Sequence, residues 1–263
     1  MKKTTIPLDR IRNVAVTAAH AAGSILLANF GKPLKIKEKR GAGLVTDVDV
    51  RCEKAALRIL RREFPHFGVL AEESPALESR DNGRWIIDPL DGTTNYIHGF
   101  PMFCVSIAAE WDGQLQVGVI YHPILDETYI AVRGRGSTVN GKRLAVSKTR
   151  RLKDALLTTG FAYTKGAELH RDVARFERLA EDARAIRRPG SAALDLAYTA
   201  RGVFDGFWER NLSPWDIAAG ALLVEEAGGQ VTDFSGRQFV VGCNEVLVAN
   251  SRLHREILRE LEV

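Results

Sequence analysis

The chain has 263 residues, 45% of them hydrophobic, with 37 Lys and Arg against 33 Asp and Glu. That length and apolar share suffice for one large domain or two smaller packed ones, and they exclude a disordered or fibrous chain. The net charge of +4, interspersed along the sequence rather than gathered in tails, fits a small anionic partner and requires no nucleic acid.

Asp9 to Asn29 carries apolar residues at helical spacing (Ile11, Val14, Ala18, Ala22, Ile25) and stops before Gly31, and Asp49 to Phe64 is a second amphipathic helix ended by Pro65. Strands follow at Gly68 to Ala71, Arg84 to Asp88 and Cys104 to Glu110. Asp112-Gly113 then turns the chain into Gln116 to Tyr121, and Thr128 to Val132 is the next strand. Gly134, Gly136, Asn140 and Gly141 mark turns, and the polar stretch Lys148 to Lys153 divides the chain into an N-terminal half, 1–150, and a C-terminal half, 151–263. In the second half the strand Leu156 to Thr159 precedes helices at Leu169 to Asp182 and Ser191 to Ala200. Phe204 to Trp208 reads as a strand, Asp216 to Ala227 as a helix closed by Gly228-Gly229, Val246 to Ala249 as a strand and Leu253 to Leu261 as the last helix. Alternating elements of this kind give a layered α/β fold.

Thr4, Thr5, Pro7, Asp9 and Arg10 interrupt any apolar run a signal peptide would need. No window approaches a membrane span, so a cytoplasmic location is expected. Cys52, Cys104 and Cys243 are odd in number and far apart, which suits buried apolar residues better than disulfides or a zinc site. The histidines show no paired metal spacing.

The segment Trp85-Ile86-Ile87-Asp88-Pro89-Leu90-Asp91-Gly92-Thr93-Thr94 concentrates chemistry. Pro89 removes a donor and fixes φ, so the strand is expected to stop at Asp88, with Asp91 following across a turn. The two carboxylates then converge where a hard divalent cation such as Mg²⁺ would be favoured. The amides of Gly92, Thr93 and Thr94 point forward as donors for a phosphate. Asp-Pro-Leu-Asp-Gly also reads as an ordinary turn, but two acids held together repel unless a cation or donors compensate. Glu72 ends the strand Val69-Leu70-Ala71 as Asp88 ends its own, so the two face each other if their strands are neighbours. Asp216 opens a helix after Ser213-Pro214-Trp215, a position that also suits a simple cap. Asp49 and Asp47 both sit at a helix start, and spacing alone does not choose between them.

Leu44-Val45-Thr46 with Asp49, Glu72-Glu73-Ser74, Trp85 to Asn95, Gly190-Ser191-Ala192-Ala193 and Trp215-Asp216 with Ala219-Gly220 together resemble the inositol monophosphatase family of Mg²⁺-dependent phosphatases, in order and spacing and over essentially the whole chain. The resemblance implies a layered αβαβα sandwich, a homodimer and hydrolysis of a small phosphorylated polyol. Myo-inositol 1-phosphate is the first expectation, with fructose 1,6-bisphosphate and histidinol phosphate as alternatives, and lithium as an inhibitor. It assigns one metal to Glu72, Asp88 and the Leu90 carbonyl and a second to Asp88, Asp91 and Asp216. Asp49, Glu72 and Thr93 become catalytic, with Asp49 and Thr93 positioning the nucleophilic water, and Asp49 is preferred over Asp47 on this resemblance alone. Substrate contacts fall to Asp91, Gly92 and Thr93 on the phosphate side and to Ala192 and Glu209 at the alcohol hydroxyls. The loop Lys35 to Gly43, with Lys37 and Lys39, resembles one near a further, weaker metal. Some bacterial relatives associate with the transcription machinery, which makes a regulatory interaction protein the competing expectation, although no nucleic-acid motif is present.

Overall fold

The computed structural model describes residues 7–38, 43–161 and 166–262. Helix α1 (Leu8–Asn29) is followed by a small ribbon of β1 (Ile36–Glu38) and β2 (Leu44–Thr46), then by α2 (Asp47–Glu63). A seven-stranded sheet comprises β3 (Gly68–Ala71), β4 (Gly83–Asp91), β5 (Cys104–Trp111), β6 (Gln114–His122), β7 (Glu127–Val132), β8 (Gly136–Val139) and β9 (Lys142–Arg143), paired in that order, with the short α3 (Thr93–Ile97) after β4. The second half contains β10 (Leu156–Thr159), α4 (Ala167–Asp182), β11 (Ala185–Arg187), α5 (Ala192–Ala200), β12 (Gly206–Arg210), α6 (Pro214–Glu226), β13 (Gln230–Thr232), β14 (Glu245–Ala249) and α7 (Ser251–Leu261). Its five strands pair in the order β11-β10-β12-β14-β13, and the first three are mutually parallel.

The period-2 alternation of strand side chains explains the layering. Trp85 and Ile87 of β4 pack in one core with α1 and α2, whereas Ile86 between them packs in another with α5 and α6. In the five-stranded sheet, Phe207, Val246 and Val248 join the α5/α6 core, while Trp208, Leu247 and Ala249 face a third core with α4 and α7. Both sheets are therefore covered on both faces, and the layers run αβαβα. Close packing at the centre depends on small residues: a Cβ at Gly118 would lie 2.7 Å from the Ala219 carbonyl oxygen, and one at Gly220 would lie 2.4 Å from Leu196. These contacts seat α6, and so its N-terminal Asp216, directly over the seven-stranded sheet.

Several boundaries differ from expectation for identifiable reasons. Helix α2 begins at Asp47 because Thr46 caps it: the Thr46 side chain accepts from Val48 and Asp49 amides while Asp49 reaches back to the Thr46 amide. The expected end of β4 at Asp88 is corrected. The strand continues to Asp91 through an irregularity in which Asp88 pairs with Ser106 and Asp91 with Cys104, one residue more on β4 than on β5. A bulge, rather than a chain-reversing turn, absorbs Pro89. The strand expected at Phe204 to Trp208 is displaced to Gly206–Arg210, paired along its length with β14, and α6 starts two residues early because Pro214 is tolerated in a first turn. The expectation that no window approaches a membrane span also needs correction. Helix α1, 22 residues long, is apolar and long enough to cross one, but here Ile11, Ala15, Ala18, Ala22 and Leu26 are buried against the sheet.

His254 on α7 is 1% exposed and shares a hydrogen bond of 2.8 Å with Thr232, and burial pushes its pKa down to about 4. The unfolded chain takes up this proton near pH 6.5, so His254 supports folding fully above that pH and the support is lost as pH falls toward 4. Thermal melts of wild type and His254→Gln should show it. Between about pH 7 and pH 4.5 the difference should shift in the variant's favour by roughly 2 to 3 kcal/mol, and parallel pH profiles would contradict the assignment.

Candidate active site

Where the end of β4 meets the N-termini of α5 and α6, the fold leaves a cavity of about 660 Å³. Glu72, Asp88, Leu90, Asp91, Gly92, Thr93, Ala192, Glu209 and Asp216 all line it, and Asp49 stands behind Thr93. The β4 bulge supplies its centre. The Leu90 amide donates to Asp88 Oδ1 at 2.9 Å, which holds the carboxylate beside the bulged backbone. Gly92 follows at φ 91°, a left-handed conformation that favours glycine, and a Cβ there would lie 2.7 Å from the Met102 carbonyl oxygen.

Each acid arrives on a different support. Asp91 Oδ2 accepts from the Ser191 hydroxyl at 2.6 Å and the Ala193 amide at 2.8 Å, so it is anchored to the first turn of α5. Asp216 Oδ2 accepts from the Ser213 amide at 2.7 Å as the third residue of a capping box on α6. Glu72 follows β3, which runs parallel to β4, and its amide donates to the Ile87 carbonyl at 3.3 Å. Asp49 is fully buried. Its Oδ2 accepts from the amide and hydroxyl of Thr46 and its Oδ1 from the Thr93 hydroxyl at 3.1 Å. Asp47, the competing acid of that helix start, instead accepts from the Lys35 amide.

The electrostatics are those of carboxylates crowded together. Burial, then the charges of Glu72, Asp91 and Asp216, push Asp88 well above the usual carboxylate range. Burial likewise raises Asp91 to about 6 and, with Asp91 as the leading neighbour, Asp216 to about 8. Ligand oxygens of Asp88, Asp91 and Asp216 all lie within 4.8 Å of one another. An all-oxygen, multiply anionic set of this kind fits a hard divalent cation, and Glu72 and the Leu90 carbonyl border the same space.

The other end of the cavity is built by the five-stranded sheet. Glu209 leaves β12 there, its pKa raised to about 8 by burial and then by Asp216. It does not form the surface ion pair that Arg210 could have offered, because Arg210 pairs with Asp172 on α4 at 3.4 Å. Lys37 is exposed on β1 and lies outside the cavity lining, and Lys39 falls outside the described residues.

Several participants carried no assignment in the sequence. Ser191 and the Ala193 amide orient Asp91, a role signalled by a Ser directly before an apolar helix. Asn95 donates to the carbonyls of Met102, Pro189 and Gly190, tying α3 to the loop before α5. Gly160, Phe161 and Arg188 line the cavity, and nothing local in the sequence distinguishes them.

Relief of the charge repulsion should be measurable without any turnover. In chelator-treated protein, Asp216→Asn should raise the melting temperature. Mg²⁺ should raise that of wild type, by about 2.7 kcal/mol of added stability at a hundredfold excess over Kd, and should stabilise the variant far less. An unchanged wild-type melting temperature in Mg²⁺ would count against a cation site here.

Comparison with known proteins agrees with this geometry. The model of the inositol monophosphatase family matches residues 7–263. The chain is 40% identical over 258 residues to Nus factor SuhB of Pasteurella multocida, covering 97% of each chain. It is 41% identical over 253 residues to inositol-1-monophosphatase of Mesorhizobium japonicum, covering 95% of each. The crystal structure of extragenic suppressor protein suhB from Bartonella henselae superposes with a TM-score of 0.92 at 42% identity, over 96% of this chain and 98% of that one. With its layered fold and clustered carboxylates, the chain belongs to the inositol monophosphatase family.

Proposed function

We propose that the protein is a Mg²⁺-dependent phosphatase of a small polyol phosphate monoester, with myo-inositol 1-phosphate as the first candidate, acting in the cytoplasm as a homodimer. The observation that carries this reading is the convergence of three clustered carboxylates with the Thr93–Asp49 pair on one cavity. Glu72, Asp88 and the Leu90 carbonyl would hold one Mg²⁺ and Asp88, Asp91 and Asp216 another, with a third, weaker one near Lys35 to Gly43. Bound there, the ions would lower the pKa of an attacking water and stabilise the departing alkoxide.

The chain's own groups do the rest. The Thr93 hydroxyl, 3.1 Å from Asp49 Oδ1, passes its proton toward Asp49 and so accepts one from a water aligned with the phosphorus. Thr46 fixes Asp49 from the other side, so the relay does not swing. Gly92 and Thr93 line the cavity, and their amides would suit the phosphate oxygens. Ala192 and Glu209 meet the hydroxyls of the alcohol.

Direct displacement should leave solvent oxygen in the released phosphate, and a trapped phosphoaspartate would exclude it. Asp91→Asn should lower kcat at least about a thousandfold, since loss of several kcal/mol of charge stabilisation is at stake. Glu209→Gln should raise KM with little change in kcat. A panel of myo-inositol 1-phosphate, fructose 1,6-bisphosphate and histidinol phosphate, each with Mg²⁺ and with added Li⁺, identifies the alcohol; no Mg²⁺-dependent hydrolysis of any of them would overturn the proposal.

A second reading has its own support. Relatives at about 40% identity across nearly the whole chain bear the name Nus factor, which favours an association with the transcription machinery alongside catalysis. Asp91→Asn that restores a deletion phenotype in full would separate this role from turnover.

A further inference from the structure

Gly160 follows the last residue of β10, one step beyond the parallel pair Thr159 and Trp208, which places it beside Glu209 of β12. A Cβ at Gly160 would lie 2.1 Å from Glu209 Oε2 and 2.2 Å from both Cδ and Oε1. The carboxylate of Glu209 therefore lies folded over the bare α-carbon of its neighbour. Adjacent residues on parallel strands point to the same face, where side chains normally keep one another apart. Here one side chain of the row is missing, and the next occupies its place.

The position of Glu209 has a further support across the gap. Arg188 follows β11, the strand on the far side of β10. It donates to the carbonyl of Phe161, the residue after Gly160, at 3.5 Å. Burial, then the charges of Asp216 and Asp91, disfavour the ionised form of Glu209, and the positive charge of Arg188 favours it. The carboxylate occupies the space over β10 that only a residue without a side chain at 160 leaves open. Its backbone does not demand glycine, since Gly160 is outside the left-handed region in which a Cβ is strained. What a Cβ would meet is the movable end of a side chain, so the constraint acts on Glu209 and not on the fold.

We propose that Gly160 is a specificity-determining residue, the seat that sets how far the Glu209 carboxylate reaches toward the free hydroxyls of a polyol phosphate. This rests on the phosphatase reading above and adds to it a positioning residue acting through Glu209. Ordinary contact requires about 3.4 Å, so a methyl group at 160 moves the carboxylate by roughly 1 Å, and misplacement on that scale is worth up to about a hundredfold in a positioned reaction.

The test compares wild type, Gly160→Ala, Glu209→Ala and the double variant, all with Mg²⁺, on myo-inositol 1-phosphate and on p-nitrophenyl phosphate, which has no alcohol hydroxyls to recognise. Gly160→Ala should raise KM for the polyol ester about tenfold or more, with kcat/KM for the aryl ester within about twofold of wild type. In the Glu209→Ala background the same substitution should add nothing, because the two residues then no longer share an interaction. Equal losses on both esters, or a full Gly160→Ala effect that persists without Glu209, would overturn the proposal while leaving the phosphatase reading intact. A wild-type protein inactive on both esters and also on fructose 1,6-bisphosphate and histidinol phosphate would overturn the two together.

Discussion

Negative charge brought together out of water is the constraint to which this structure answers. Asp88 and Asp91 are 2% and 9% exposed, and Asp216 brings a ligand oxygen within 4.8 Å of theirs. Each carboxylate added to such a space raises the cost of ionising the others. No arrangement of apolar residues offsets that. The fold instead commits donors to each acid and leaves one direction open, toward the cavity, where a cation can supply what the protein does not.

The means are ordinary helix-capping devices used twice over. Asp49 and Asp216 occupy equivalent places in two unrelated helices, each the third residue after a capping Thr46 or Ser213, and each gives one oxygen to its cap. Asp91 reaches the start of a third helix from outside, through Ser191 and the Ala193 amide. A cap and a site residue had looked like competing explanations for such acids. In this fold they are the same one, because a carboxylate has two oxygens and the cap fixes the rotamer with only one of them. The helix N-termini also favour negative charge, which lowers the cost of placing several acids around one cavity.

How much of this could be read in advance follows from where the information resides. The β4 motif is contiguous, so its two acids and Gly92 were legible from residue types alone, and helix and strand periodicities marked the layers. The course of β4 past Asp88 was not legible, because a bulge is set by pairing with β5, where Asp91 meets Cys104, and not by Pro89. Asp49 and Asp47 were indistinguishable locally, since only the approach of Thr93 from 44 residues away separates them. The family resemblance prefers Asp49, and the structure adds a physical contrast between the two: Asp49 accepts from the Thr93 hydroxyl, whereas Asp47 serves the Lys35 amide. Gly160 was invisible for a related reason: its significance is the absence of a side chain beside a residue 49 positions later.

The cavity draws its two ends from different sheets, and this bears on how one family fold can serve different alcohols. Acids from β3 and β4, with Asp216 of α6, crowd one end, and their positions are locked by caps, a bulge and tight glycine contacts under α6. Those features are mutually dependent, so changing one disturbs several. The other end is the carboxyl edge of the parallel strands β11, β10 and β12, where Arg188, Gly160 and Glu209 all line the cavity. The open edge of parallel strands is a common place for ligand contacts, and side chains there can change without disturbing the capped acids. On the proposed reading, phosphate chemistry belongs to the rigid end and the choice of alcohol to the adaptable one. A chain could then retain every metal-site carboxylate while its partner alcohol changed by single residues at the edge of the second sheet.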